Sequence, residues 1–387
     1  MTAVWIVAAC AVWTAWVIAG YPLALALPAR WFPRPPREGT CEPSVTAIVP
    51  VYNGAAFLAA KLDSILGSDY PAARLDVLVL SDESTDETDS IGAAFARRHP
   101  ERVRFARLPK GGKAAALNAA LPQVRSELVL MTDVRQRLQP DCVRLLAGMF
   151  ADPEVGVASG NLVILSGESS GEANVGLYWQ YESWIRENLG LTDSLLGATG
   201  PIYAIRRELV RPLPAGCILD DVWLPMQAVL AGRRSVWNKR AVAWDYPTSL
   251  DAEFDRKVRT QAGLFQLLWQ LPSLWTFRNR LLWPFLFLKM GRLLLPEVLL
   301  VCFMAGFWLA DPWRIGVLGG QAVFYALAAI DAWVPERTAL KRLTAPLRAF
   351  VTLLAAALCA VAIFFVRPER LWKRTRVRAS EAPGASE

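Results

Sequence analysis

The chain has 387 residues, 54% apolar and only 20% charged, with a formal net charge of +7. That is enough for one large domain with accessory segments, and too apolar for an ordinary water-soluble protein. The six cysteines form no C-x-x-C pair and His99 is the single histidine, so zinc fingers and His-based metal sites are not expected. The positive charge comes without an RNA-binding signature, and no nucleic-acid partner is expected.

Residues 1–29 carry no charged side chain, and Ala3 to Leu27 is long enough to cross a bilayer core of roughly 30 Å. No Lys or Arg precedes Arg30, so the basic start of a cleaved signal peptide is missing and an uncleaved anchor is expected. Arg30, Arg34 and Arg37 follow, which places the next domain in the cytoplasm. Residues 30–43 are Pro-rich and charged and read as a linker.

From Ser44 short apolar runs alternate with helical stretches. Strands are expected at Val45–Val51, Val77–Ser81, Val103–Arg107, Leu128–Thr132 and Val155–Leu165, with helices near 55–67, 86–99, 112–121 and 140–150. Such alternation predicts an α/β domain over 44–275 with a doubly wound, mostly parallel sheet, whose ligands bind beyond the carboxyl ends of the strands.

Polar residues cluster at those ends. The first strand closes in VPVYNG, with Pro50 and Tyr52. The second runs into SDESTDET, where Ser84 and Glu87 fit a helix capping box but Asp82 is left over for a base or ribose. In KGGKAAALNAAL, Lys113 follows two glycines at a helix start, a setting for a diphosphate or merely a solvated lysine. Asp133 ends a strand in LMTDVRQ, as a Mg²⁺ or Mn²⁺ ligand shared with phosphates or as a turn cap. ILDDVWLP carries Asp220 and Asp221, which raise each other's proton affinity as a general base requires, or simply enrich a helix start in acid. Arg256 and Arg259 share a helix face and suit a leaving diphosphate or a solvated surface.

Leu281–Arg292 reads as an interfacial helix within 276–292. Leu293–Ala310, Trp313–Val334 and Ala349–Val366 are candidate membrane spans within 293–366, and 367–387 is a basic tail. Four crossings would put that tail outside, against its charge, so either one apolar stretch is not a simple crossing or the number of crossings differs by one. The expected location is the plasma (inner) membrane.

In order and spacing, these motifs over roughly 44–271 resemble glycosyltransferase family 2, in particular its membrane-integrated members such as cellulose, chitin and hyaluronan synthases. The resemblance implies a GT-A fold and inverting transfer from a UDP-sugar to a glycan or lipid-linked acceptor. It places uracil at Asp82, the diphosphate near Lys113, a divalent metal at Asp133, the base at Asp221, and the donor and acceptor sugars near Gly200 in GATGPIYAIRR. Two departures stand out. The D-x-D motif reads Asp133-Val134-Arg135, with Arg135 supplying charge where a second metal ligand is usual. The Q-x-x-R-W signature keeps only Arg259, which argues against processive synthesis. A polyprenyl-phosphate sugar transferase and an inactive nucleotide-sugar binder that regulates a partner synthase remain the rival readings.

Overall fold

A computed structural model describes residues 1–164, 171–246, 250–335 and 338–366; the basic tail lies outside these. Helix α1 (Thr2–Ala15) passes through a π-turn (Trp16–Gly20) into α2 (Tyr21–Trp31). The domain then runs β1 (Val45–Val51), α3 (Ala55–Leu66), β2 (Leu75–Asp82), α4 (Thr88–Arg98), β3 (Val103–Leu108), α5 (Gly112–Ala120), β4 (Leu128–Met131), β5 (Arg137–Leu138) and α6 (Cys142–Gly148). After these come β6 (Val155–Ile164), α7 (Gly171–Thr192), β7 (Tyr203–Arg206), α8 (Asp220–Leu230), β8 (Arg234–Asp245) and α9 (Leu250–Gln270).

The eight strands form one sheet in the order β3-β2-β1-β4-β7-β6-β8-β5. Strands β3, β2, β1 and β4 are parallel, as the alternation predicts, and β1 is apolar along its length because helices cover both faces. Pro50 offers no N–H, yet it lies past the last β1–β4 pair (Ile48 with Met131), where no ladder bond is lost on that side. The other half is mixed. β7 runs antiparallel to β4 and β6, with Met131 opposite Tyr203, so the sheet is not parallel throughout. Four-residue β7 and the charged stretch of β8 lack the long apolar runs by which strands are found in sequence.

Leu58 and Leu62 of α3, Phe95 of α4 and Leu146 of α6 pack on one face of the sheet. Leu117, Leu189, Trp223 and Leu264 pack on the other, and that core continues without a break through Phe285 and Leu288 to Ala357 and Ile363. The α/β half and the C-terminal helices therefore share one apolar interior, worth roughly 2 kcal/mol per fully buried large side chain.

Among the described residues, three helices are long and apolar enough to cross a membrane: Thr2–Trp31, Trp313–Trp333 and Ala339–Phe364. The stretch expected to cross at Leu293–Ala310 instead forms the 12-residue helix Leu295–Gly306, about 18 Å long and short of the bilayer core. Pro296 in its first turn suits a fresh helix start after Leu294. The expected interfacial helix is broken into Leu282–Pro284, a π-turn Phe285–Met290, and Gly291–Leu293. Phe364, ending the last long helix, rests on Phe265 and Trp269 of α9, with ring centroids 5.5 and 5.6 Å away.

Candidate active site

The turns after β1 and β2 hold each other. Asn53 and Glu83 both adopt left-handed backbone, with φ of 49° and 56°. The backbone N–H of Asn53 donates to Ser84 Oγ (3.0 Å) and that of Thr85 to Asn53 Oδ1 (2.8 Å). Ser84 is thereby engaged across the sheet and the expected capping box with Glu87 does not form; α4 begins at Thr88, with Glu87 as its cap residue and no side-chain cap bond. Tyr52 stands half-exposed at this edge, with Lys110 over its ring.

Asp82 ends β2 almost buried, and its carboxylate accepts the backbone N–H of Gly111 (2.7 Å) and Gly112 (3.1 Å). Gly112 has φ of +78°, a conformation that only glycine adopts at little cost. That turn starts α5 and aims Lys113 across the sheet. Lys113 Nζ lies 2.9 Å from Asp133 Oδ1 and 3.1 Å from Asp220 Oδ2. Burial works against the ammonium, but the two carboxylates outweigh it and hold Lys113 protonated; the lysine in turn keeps Asp133 below the usual carboxylate range.

Asp220 and Asp221 open α8. Burial, then the neighbouring Asp220, pushes Asp221 up to about 6, and burial raises Asp220 as well. Asp221 closes over Gly200, where a Cβ would stand 2.8 Å from Asp221 Oδ2. The Ala198 N–H donates to the Asp221 carbonyl (2.7 Å), which fixes the 197–200 turn against α8. Arg259, reaching in from α9, lies within electrostatic range of Asp133 and Asp221, while Arg256 is tied to Glu253 at 2.6 Å. Arg135 stands apart from this cluster, paired with buried Asp245 at 2.5 Å.

The structure thus brings Lys113, Asp133, Asp220, Asp221, Gly200 and Arg259 to one cleft, with Asp82 joined to it through the glycine turn. A family model described as Glycosyl transferase family 2 matches residues 46–213, the segment that supplies Asp82, Lys113, Asp133 and Gly200. Residues 46–213 are a glycosyltransferase family 2 segment. Its fold is GT-A: the chain superposes on the mannosyltransferase PcManGT from Pyrobaculum calidifontis, solved with GDP-Man and Mn²⁺, with a TM-score of 0.72 over 93% of this chain and 99% of that one at 24% identity. An N-acetylglucosaminyltransferase of Rhizobium meliloti (strain 1021) is 36% identical over 186 residues, 46% of this chain and 42% of the relative. A beta-monoglucosyldiacylglycerol synthase of Synechocystis sp. is 28% identical over 158 residues, 38% of this chain and 33% of the relative. The chain therefore spans less than half the length of these curated relatives.

Among the described residues no three His, Cys, Asp or Glu side chains gather to hold a metal. A hard divalent cation is nevertheless commonly held by one or two carboxylates with substrate phosphates and water. Asp133, partly exposed, fits a metal that arrives with a diphosphate and does not fit a resident one.

Two residues at this cluster carried no signal in the sequence. Lys61 of α3 is fully buried, with Nζ bonded to Thr132 Oγ1 (2.5 Å) and the Gln136 carbonyl (2.7 Å), one residue from Asp133; burial lowers it to about 7. In sequence it is one lysine on an apolar helix. Tyr203, also fully buried, has a hydroxyl without a hydrogen-bond partner among the described residues, within electrostatic range of Asp220 and Asp221.

Proposed function

We propose that this transferase is a membrane-anchored, inverting enzyme that moves a sugar from a nucleotide diphosphate, UDP in the first instance, onto an acceptor hydroxyl. The observation that carries the reading is the lysine bridge: Lys113 joins Asp133, on the phosphate side, to the Asp220–Asp221 pair in one cleft. Asp221, with a proton affinity near neutrality, takes the acceptor proton as the hydroxyl oxygen attacks the anomeric carbon. Asp220 beside it keeps that affinity high. Lys113 and Arg259 then bear the negative charge that develops on the departing diphosphate. Pro50, Tyr52 and Asp82 line the base side, Gly200 leaves room for the sugars, and Arg135 acts at a remove by fixing the Asp133 turn through Asp245.

Mg²⁺ or Mn²⁺ would be held by Asp133 and the donor phosphates, supplying positive charge at the leaving group. The Mn²⁺ and GDP-Man of the Pyrobaculum transferase support a metal and also make GDP-Man a donor to test. The names of the other relatives favour UDP-GlcNAc or UDP-glucose, and glycan or lipid acceptors.

Residues 44–275 form the catalytic domain, facing the cytoplasm, with 1–29 as its anchor and 30–43 as linker. Segment 276–292 lies at the interface, and the membrane portion is 293–366. With Leu295–Gly306 too short to cross, Thr2–Trp31, Trp313–Trp333 and Ala339–Phe364 cross the inner membrane and return the tail 367–387 to the cytoplasm. That parity agrees with the tail's charge and with Phe364 resting on α9.

The test is release of UDP or GDP from UDP-GlcNAc, UDP-glucose and GDP-Man by the purified protein in detergent with a membrane-lipid extract. Nucleotide binding without release from any donor would support the inactive binder instead. A labelled product of one sugar on a polyprenyl phosphate would favour the other rival.

A further inference from the structure

A second charged group lies between Asp221 and the first membrane helix, and the mechanism above does not use it. Tyr181, Glu182 and Arg186 face it from α7, and Lys289 and Arg292 come from the broken segment that includes the π-turn. Arg292 pairs with Glu182 (2.7 Å), donates to Tyr181 Oη (2.7 Å), and reaches the Val17 carbonyl of the N-terminal π-turn (3.5 Å). Tyr181 in turn donates to the Ile18 carbonyl. Such turns displace the regular helix ladder and recur at functional sites. Here one carries Lys289 and the other offers carbonyls to the cluster.

The charges do not balance locally. Arg186 donates only to the neutral hydroxyls of Thr199 (2.9 Å) and Ser159 (3.4 Å). Lys289 makes no hydrogen bond or ion pair among the described residues. Both are half-buried and within electrostatic range of Glu182, which Arg292 already engages, of Asp221 and of each other. A half-buried cation pair with no carboxylate in contact is costly unless an anion joins it. The position, beside the base and against the membrane helix, is where the non-reacting part of an acceptor would lie.

We propose that Lys289 and Arg186 bind the phosphate of a phospholipid head group, so that the acceptor hydroxyl offered to Asp221 is carried on an anionic membrane lipid. This rests on the transferase reading and adds the acceptor class to it. Arg292, neutralised by Glu182, positions the cluster on the N-terminal helix.

Native mass spectrometry of the full-length protein in dodecyl maltoside tests it, with phosphatidylglycerol, diacylglycerol and, as a soluble source of the same chemistry, glycerol phosphate. The expected result is saturable retention of phosphatidylglycerol, little retention of diacylglycerol, and glycerol phosphate bound far more weakly. Lys289→Gln should weaken phospholipid retention about tenfold, with UDP affinity unchanged and Lys289→Arg restoring retention. Equal retention of diacylglycerol, unchanged retention in Lys289→Gln, or glycerol phosphate bound as tightly as the lipid overturns the proposal. A matching loss of UDP affinity in Lys289→Gln also overturns it and assigns the cations to the donor. Phospholipid retention as expected in a protein that binds no nucleotide would count against the transferase reading and leave this site standing.

Discussion

Replacing Asp221 by Asn removes the proposed base and, by the same physics, relieves the fold. Burial and Asp220 raise its carboxyl from the ordinary 3.8 to about 6. A raised carboxyl adds stability below its unfolded value, and that stability is lost as pH climbs through 6, when the buried group must ionise. The displacement corresponds to about 3 kcal/mol at pH 8 and roughly half of that at pH 5. Asp221→Asn should therefore melt several degrees above the native protein at pH 8, with the gap closing below pH 4. Intrinsic tryptophan fluorescence in detergent reads this directly. In parallel, native transfer should fall about tenfold per pH unit below 6, and Asp221→Asn should abolish transfer while UDP still binds. A variant that melts lower than native at pH 8, or that transfers sugar at a comparable rate, would refute the assignment of both the strain and the base.

Removing Lys113 as Met leaves Asp133 and Asp220 facing each other without compensation. After allowing for the partial exposure of Asp133, a stability loss of about 2 kcal/mol and a marked drop in UDP affinity by calorimetry are expected; unchanged affinity would take Lys113 off the diphosphate. Gly200→Ala should displace the Asp221 carboxylate 2.8 Å away, lowering kcat with little change in nucleotide affinity, and native kcat would show that the carboxylate moves aside freely. Chelation with EDTA should stop transfer and Mn²⁺ or Mg²⁺ should restore it, with Asp133→Ala raising the metal concentration needed; full activity in EDTA would discard the metal.

The half of the site near the parallel strands was readable from sequence because each residue follows directly on an apolar run. Asp82 closes β2 and Asp133 follows β4, and the glycine pair announces the helix start that aims Lys113. What sequence could not convey depends on distant pairing. Arg135 looks like a replaced metal ligand, but its partner Asp245 lies at the far end of β8, 110 residues on. Ser84 and Glu87 fit a capping box locally, yet Asn53 from another strand claims the hydroxyl. Lys61 reads as a surface lysine until the fold buries it behind Asp133. The apolar stretch at Leu293–Ala310 had the length of a span, and a helix break at Leu294 and an early end at Gly306 shorten it.

The reversed direction of β7 has an architectural consequence. Because Met131 pairs with Tyr203, the chain leaves the sheet toward Asp133 on one lip of the cleft and enters it from Gly200 on the other, clasped by the Thr132 hydroxyl on the Pro201 carbonyl at 2.7 Å. The nucleotide cradle and the opposing lip are thus separate lengths of polypeptide meeting at a single seam. On the proposed reading, changes in the 196–200 turn would act on the sugar side while leaving Asp82, Lys113 and Asp133 in place, a division that a wholly parallel sheet would not supply at this seam.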